Sequence, residues 1–143
     1  MSDKATVLIL CTGNSARSQM AEGLLRHMGR EDFEVVSAGV SPTQVRSEAV
    51  DVMKEIGIDI SHHFSKDVHL FVGQPFDYVI TVCDNANQNC PVFPGGTQRI
   101  HWSFEDPAAT KGDETTRLAV FRRVRDQIRE RLQEFVRAIA VKK

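Results

Sequence analysis

Apolar positions along the 143-residue chain fall into two periods. Short, β-branched runs at "TVLIL" (6–10), "FEVVSA" (33–38), "DYVITV" (77–82) and "QRIHWSF" (98–104) are each bounded by turn-forming residues and predict four strands. Between and after them, spacings of three and four predict helices over 18–28 and 46–56, a less regular one over 62–73, and a long one over 115–140. The last carries Leu118, Phe121, Val124, Ile128, Leu132, Phe135 and Ile139 on one stripe, which predicts a buried face. Because strand and helix alternate, the expected fold class is α/β: a four-stranded parallel sheet with helices on both faces, joined by right-handed crossovers into a three-layer sandwich. Ligand sites in such sheets lie beyond the carboxyl ends of the strands, near the reversal of strand order. No repeat, low-complexity tract or linker interrupts the pattern, so residues 1–143 are read as a single domain.

Composition narrows the function classes. Hydrophobic residues at 41% and charged residues at 26% match a soluble globular chain, and no apolar run is long enough to cross a bilayer. A net charge of -1 and a pI near 6.5 leave no global field for nucleic acid, so any anion affinity must be local. The start "MSDKATVLILC" has an apolar run about half the length of a secretory core, with no small-residue cleavage site after it. It is read as the first strand of a cytoplasmic protein. Past residue 111 Lys and Arg outnumber Asp and Glu, but Arg122 and Asp126 interleave on what reads as a solvated helix face. Nothing in the pattern demands more than a monomer.

The first strand runs into "CTGNSAR", a C-x5-R spacing that ends where the first helix begins. A turn of this length aims several backbone N–H groups at one point and backs them with a helix dipole, which suits a tetrahedral oxyanion. Gly13 allows positive φ and Asn14 tolerates it, the hydroxyls of Ser15 and Ser18 add donors, and Arg17 presents a planar fork for two oxygens. The same donors favour thiolate over thiol at Cys11, making it a nucleophile beneath the oxyanion's central atom. A Walker-type nucleotide loop is excluded because G-K-[ST] is missing.

Two more cysteines complete an odd set of three, which cannot all pair within the chain and which a reducing compartment keeps as thiols unless chemistry cycles them. Cys83 ends the strand "DYVITV" on the sheet edge that also holds Cys11. Cys90 is seven positions further on. Were "DNANQNC" helical, that span at about 1.5 Å per residue would separate the α-carbons by about 10 Å, beyond the roughly 7 Å limit for a disulfide. Pairing would then need the segment to unwind, and Asp84, Asn85, Asn87 and Asn89, followed by Pro91, Pro94, Gly95 and Gly96, make a poor helix. Zinc ligation by the cysteines with His62, His63, His69 or His101 lacks the C-x2-C or H-x3-H spacing, so no metal is expected.

"VLILCTGNSARSQMAE" resembles the signature loop of the low-molecular-weight protein tyrosine phosphatase superfamily. "TVCDNANQNCPVFPG" and "HWSFEDPA" resemble its thioredoxin-coupled arsenate reductase branch, and the likeness runs from the first strand to the last helix. The resemblance implies a flavodoxin-like, low-molecular-weight phosphatase-like sandwich. It implies Cys11 as nucleophile, an oxyanion site formed by Thr12, Gly13, Asn14, Ser15, Ala16, Arg17 and Ser18, and Asp106 as general acid, although Asp-Pro alone is only a turn signal. It also implies a relay: Cys11 attacks the arsenic of arsenate, Cys83 attacks the sulfur of Cys11 and releases arsenite, and Cys90 takes over the disulfide, which thioredoxin reduces. Phosphate and sulfate would compete as oxyanions. No tightly bound cofactor is implied, but some relatives hold potassium through residues corresponding to Asn14, Glu22, Ser37 and an aspartate. Lys66 stands at that aspartate and argues against potassium, while Asp67 is one residue away.

Two other readings share parts of this pattern. A low-molecular-weight phosphatase would use the loop and Asp106 but leave Cys83 and Cys90 without work, and Ala108 and Ala109 stand where phosphatases place aromatic residues. A non-catalytic oxyanion-binding or redox-sensing module would bind anions without turnover.

Overall fold

The computed structural model describes residues 4–29 and 31–142. Four strands, β1 (Ala5–Cys11), β2 (Phe33–Gly39), β3 (Tyr78–Thr81) and β4 (Gln98–His101), form one all-parallel sheet in the order β2-β1-β3-β4. The helices are α1 (Arg17–Met28), α2 (Ser47–Lys54), α3 (Asp84–Gln88) and α4 (Glu114–Lys142), with single 3-10 turns at Val68–Leu70 and Pro107–Ala109. Val7, Leu8, Ile9 and Leu10 on β1 are completely buried, which in a parallel sheet requires cover on both faces.

The chain leaves β1 toward β2 and returns on its other side as β3, so the order of strands reverses between β1 and β3. Cys11 ends β1 and Cys83 follows β3 by two residues, and the register Leu10↔Thr81 brings both to one level of the sheet's carboxyl edge. The topology therefore puts two of the three thiols at the crevice where such sheets bind ligands.

The apolar stripe of α4 is buried as expected, from Phe121, Val124, Ile128 and Leu132 at 0% exposure to Phe135 and Ile139 near the end. Phe135 meets Phe33, Tyr78 and Trp102 at ring-centroid distances of 5.6, 5.2 and 6.2 Å, joining α4 to β2, β3 and the end of β4. Its charged face differs from the expectation. Arg122 does not pair with Asp126 but grips Glu55 after α2 through two parallel bonds, Nε to Oε1 at 2.9 Å and Nη2 to Oε2 at 2.7 Å. The buried Arg125 donates to Val52 O at 2.8 Å and to Glu55 at 3.0 Å, so arginines of α4 tie down the end of α2.

The helix expected over 62–73 is absent apart from the Val68–Leu70 turn, which Asp67 caps by accepting from His69 N at 2.9 Å. The backbone just before that turn is committed elsewhere: Gly39 N donates to Lys66 O at 2.8 Å, and Lys66 N donates to Asn14 Oδ1 at 2.9 Å. Residues spent on bracing a loop cannot close helical i to i+4 bonds. No helix among the described residues is long and apolar enough to cross a membrane.

Candidate active site

From the end of β1 the chain turns through residues 12–16 and enters α1 at Arg17. Ala16 caps α1 without a side-chain hydrogen bond, and the first turn holds no acidic residue. The helix's leading N–H groups and the positive end of its dipole are thus available to an anion at the loop. The turn itself depends on Asn14, whose φ of 49° is the only positive value at a non-glycine among the described residues. Gly13, expected to supply that freedom, is not among the positive-φ glycines. Its missing side chain matters for space instead, since a Cβ there would stand 3.0 Å from Thr43 Oγ1. Gly39, which the sequence reading passed over, meets the loop more closely: a Cβ would fall 2.5 Å from Thr12 O and 2.9 Å from Asn14 N.

Asn14 is fully buried and bonded on every polar group of its side chain. Nδ2 donates to Ser18 Oγ at 2.8 Å and Ser37 Oγ at 2.9 Å, while Oδ1 accepts from Lys66 N. Its carbonyl accepts from Gln19 Nε2 at 3.0 Å and Ser65 Oγ at 2.7 Å. Gln19 and Ser65 lie outside the C-x5-R pattern, and only the fold brings them in. Ser15 O and Gly13 O accept from Arg46 N and Thr43 N, so the segment after β2 holds the outer wall of the loop.

Arg17 is buried at the mouth. Nη1 donates to Phe104 O at 3.1 Å, Nη2 lies 3.8 Å from Asp106 Oδ2, and Nε is buried without a protein partner among the described residues. Asp106 caps the Pro107–Ala109 turn, with Oδ1 accepting from Ala108 N at 3.0 Å and its other oxygen facing Arg17. The Asp-Pro signal is therefore both the turn it reads as and an acid delivered to the guanidinium.

Cys11 and Cys83, both buried and both free, lie near enough for each to shift the ionisation of the other. The neighbouring Cys11 thiol is the largest influence on Cys83, whose pKa is lowered to about 5; burial opposes it. The Thr12 hydroxyl at 3.3 Å, the Ala86 N–H at 3.4 Å and the Arg17 charge act in the same direction as Cys11. Thr12 Oγ1 accepts from Asn85 Nδ2 at 3.0 Å and keeps its own hydrogen to donate to the Cys83 sulfur whenever that sulfur is ionised. Cys11 is driven well above the ordinary thiol range, first by the neighbouring Cys83 and then by burial, against the pull of Arg17 and the Thr12 N–H. The two neighbouring sulfurs thus compete for one negative charge, which the Thr12 hydroxyl and the Ala86 N–H favour on Cys83 and the Thr12 N–H favours on Cys11, with Arg17 drawing it to either. The loop donors expected to favour a thiolate at Cys11, the Thr12 N–H and Arg17, do act on it, and the second sulfur beside it is the one influence the C-x5-R pattern does not contain.

Cys83 is also the N-cap of α3, the five-residue helix that separates it from Cys90. Cys90 lies one residue past the helix's C-cap, half-buried, with Sγ donating to Pro91 O at 3.4 Å and its thiol pushed up by burial. The segment expected to be marginal is helical but short. Behind the loop, Glu22 accepts from Ser37 Oγ at 2.6 Å, pairs with Arg26 at 3.0 Å, and lies 3.8 Å from Lys66 Nζ. Asn14, Glu22 and Ser37 thus converge as expected, with the Lys66 ammonium beside them. Asp67 turns away to His69. Among the described residues no group of three or more His, Cys, Asp and Glu side chains is arranged to hold a metal ion.

The profile of the low molecular weight phosphotyrosine protein phosphatases matches residues 6–143. An arsenate reductase of Halalkalibacterium halodurans is 44% identical over 133 residues, covering 93% of this chain and 96% of its own. Among solved structures, an arsenate reductase in the phosphate binding state superposes with a TM-score of 0.77 at 33% identity, over 94% of this chain and 98% of its own. A thioredoxin-dependent arsenate reductase of Corynebacterium glutamicum gives 0.73 at 27% identity, over 99% of this chain and 65% of its own.

Proposed function

The chain belongs to the low molecular weight phosphotyrosine protein phosphatase family, and we propose that it is an arsenate reductase that passes electrons through its three cysteines in turn, with thioredoxin as the final donor. The observation that carries the reading is the second sulfur: Cys83 stands beside Cys11 at the carboxyl edge of the sheet, where the Thr12 hydroxyl at 3.3 Å and the Ala86 N–H at 3.4 Å favour its ionised form. Hydrolysis of a phosphate ester has no use for that group.

Arsenate binds with its oxygens on the loop N–H groups and the fork of Arg17. As the sulfur of Cys11 bonds to arsenic, any proton it carries passes to the neighbouring Cys83 sulfur, and Asp106 gives a proton to the departing oxygen, which leaves as water. Cys83 then sheds that proton and attacks the sulfur of Cys11. A sulfur–sulfur bond forms, the sulfur–arsenic bond breaks, and its electron pair stays on arsenic, which falls from the pentavalent to the trivalent state and departs as arsenite. Cys90, once deprotonated, attacks the sulfur of Cys83 and expels Cys11 as a thiolate. A thioredoxin dithiol reduces the Cys83–Cys90 bond and returns the two electrons given to arsenic.

The cap geometry supports the handover. Once Cys83 has joined a disulfide, its sulfur is neutral and is a weaker acceptor for the Ala86 N–H and the Thr12 hydroxyl. A five-residue helix of poor formers loses part of its N-terminal support at the step where it must unwind. The cluster behind the loop supports independence from potassium, because the Lys66 ammonium supplies positive charge beside Glu22 and Asn14 Oδ1 is taken by Lys66 N.

Serine replacement of each cysteine tests the proposal in a thioredoxin-coupled, arsenate-dependent assay. Cys11→Ser loses all activity, while Cys83→Ser and Cys90→Ser lose arsenate turnover and keep slow hydrolysis of p-nitrophenyl phosphate. Full reductase activity in Cys90→Ser would overturn the relay.

A further inference from the structure

His101 has no part in the loop, yet it bridges the sheet and the first residue of α3. It ends β4 opposite Thr81 in the parallel ladder. Its Nδ1 lies 2.7 Å from Thr81 Oγ1, and its Nε2 lies 3.0 Å from Oδ1 of Asp84, the residue after Cys83. The Asp84 carboxylate can only accept, so Nε2 carries a hydrogen. The Thr81 hydroxyl donates to Nδ1 when the ring is neutral and accepts from it when the ring is charged, so the bridge survives either protonation state.

The ties on α3 are uneven along its length. Asp84 is held by His101, and Asn85 reaches Thr12 Oγ1. Farther along, Arg99 meets Asn87 O at 3.3 Å, and the Asn89 side chain bonds back to Asn85 within the helix itself. Bringing Cys90 to Cys83 requires the far end to travel and the near end to stay, because Cys83 is then bonded to Cys11. A fixed near end keeps the attacked sulfur in place and limits the conformations the moving segment must search.

We propose that His101 is a positioning residue for the second thiol exchange, anchoring Asp84 and through it Cys83 to β4 while the rest of α3 unwinds. The inference rests on the relay above. In the step it serves, the Cys90 thiolate forms a bond to the sulfur of Cys83, the Cys11–Cys83 bond breaks, and Cys11 leaves with the electron pair and regains a proton.

The test is a single turnover with arsenate and no thioredoxin, quenched with acid, alkylated and mapped by mass spectrometry, beside steady-state hydrolysis of p-nitrophenyl phosphate. In His101→Ala hydrolysis stays within about twofold of the parent, since His101 touches none of Cys11, Arg17 and Asp106, while the Cys83–Cys90 bond forms about fivefold more slowly and Cys11–Cys83 accumulates. His101→Gln, which keeps one donor and one acceptor, restores most of the rate. Equal slowing of both reactions in His101→Ala, parental disulfide kinetics, or a glutamine variant no better than alanine would each overturn the anchor alone. A parent enzyme that never forms the Cys83–Cys90 bond would overturn the relay, and the anchor with it.

Discussion

Replacing Cys11 with alanine asks whether the charge on Cys83 comes from its partner thiol. A pKa of about 5 would make Cys83 about 99% thiolate at neutral pH. An ordinary thiol near 8.5 would be about 3% ionised there, so full loss of the perturbation would cut the thiolate about thirtyfold. Cys11→Ala removes the largest of the influences that lower Cys83 but leaves the Thr12 hydroxyl, the Ala86 N–H and Arg17. The value should therefore rise by at least about one unit and stop short of the free-thiol value. Thiolate ultraviolet absorbance followed against pH reads this directly, with Cys90→Ser present in both proteins so that only the pair, or Cys83 alone, titrates. In the parent the single charge belongs to the coupled pair and disappears as pH falls through about 5. In the variant it disappears at higher pH. A titration that stays at about 5 without Cys11 would refute the influence of Cys11 and assign the whole effect to the cap of α3 and Arg17.

Other consequences are independent of that titration. Asn14→Ala deletes three buried side-chain hydrogen bonds and puts a Cβ residue without local compensation at φ 49°; urea denaturation should show a loss of about 3 kcal/mol. Gly39→Ala drives a methyl into Thr12 O and Asn14 N, so competitive inhibition by phosphate should weaken about tenfold or more, and unchanged inhibition would contradict the close approach. Replacing sodium with potassium should leave reductase turnover unchanged within about twofold, whereas strong potassium activation would rule out Lys66 as the resident charge. Glu55→Ala releases Arg122 and one bond of Arg125, but the carboxylate is well exposed, so thermal unfolding should register about 1 kcal/mol or less.

The parallel sheet and the burial of α4 were legible because both depend on apolar periodicity, which tertiary contacts here reinforce. Residues 62–73 were misread for the opposite reason: Ser65, Lys66 and Gly39 exchange hydrogen bonds with Asn14 and with each other across long sequence separations, and periodicity carries no trace of such bonds. At the site, C-x5-R is a local motif and announced Cys11 and Arg17 on its own. Asp106 needed the resemblance, since Asp-Pro has the same appearance in any turn. The influence of the second sulfur on the first was not legible, because it follows from the sheet register that sets Cys83 beside Cys11 and from the cap that α3 forms on Cys83.

That last point separates two chemistries that share one loop. A phosphatase needs its nucleophile ionised and a water to finish the reaction, because phosphorus keeps its oxidation state and the enzyme-bound ester must be hydrolysed. Reduction of arsenic needs a second nucleophile aimed at the first sulfur and easily ionised when its turn comes, so groups that favour its thiolate serve the second step. In the proposed relay Cys83 would draw that support from the Thr12 hydroxyl, which accepts from Asn85, and from the N–H of Ala86. Cys83→Ser, which removes the neighbour that most raises Cys11, should leave a chain able to form and hydrolyse a phosphoryl ester but unable to release trivalent arsenic. A Cys83→Ser protein that still produced arsenite at the parental rate would mean that the electrons reach arsenic by a route other than this sulfur.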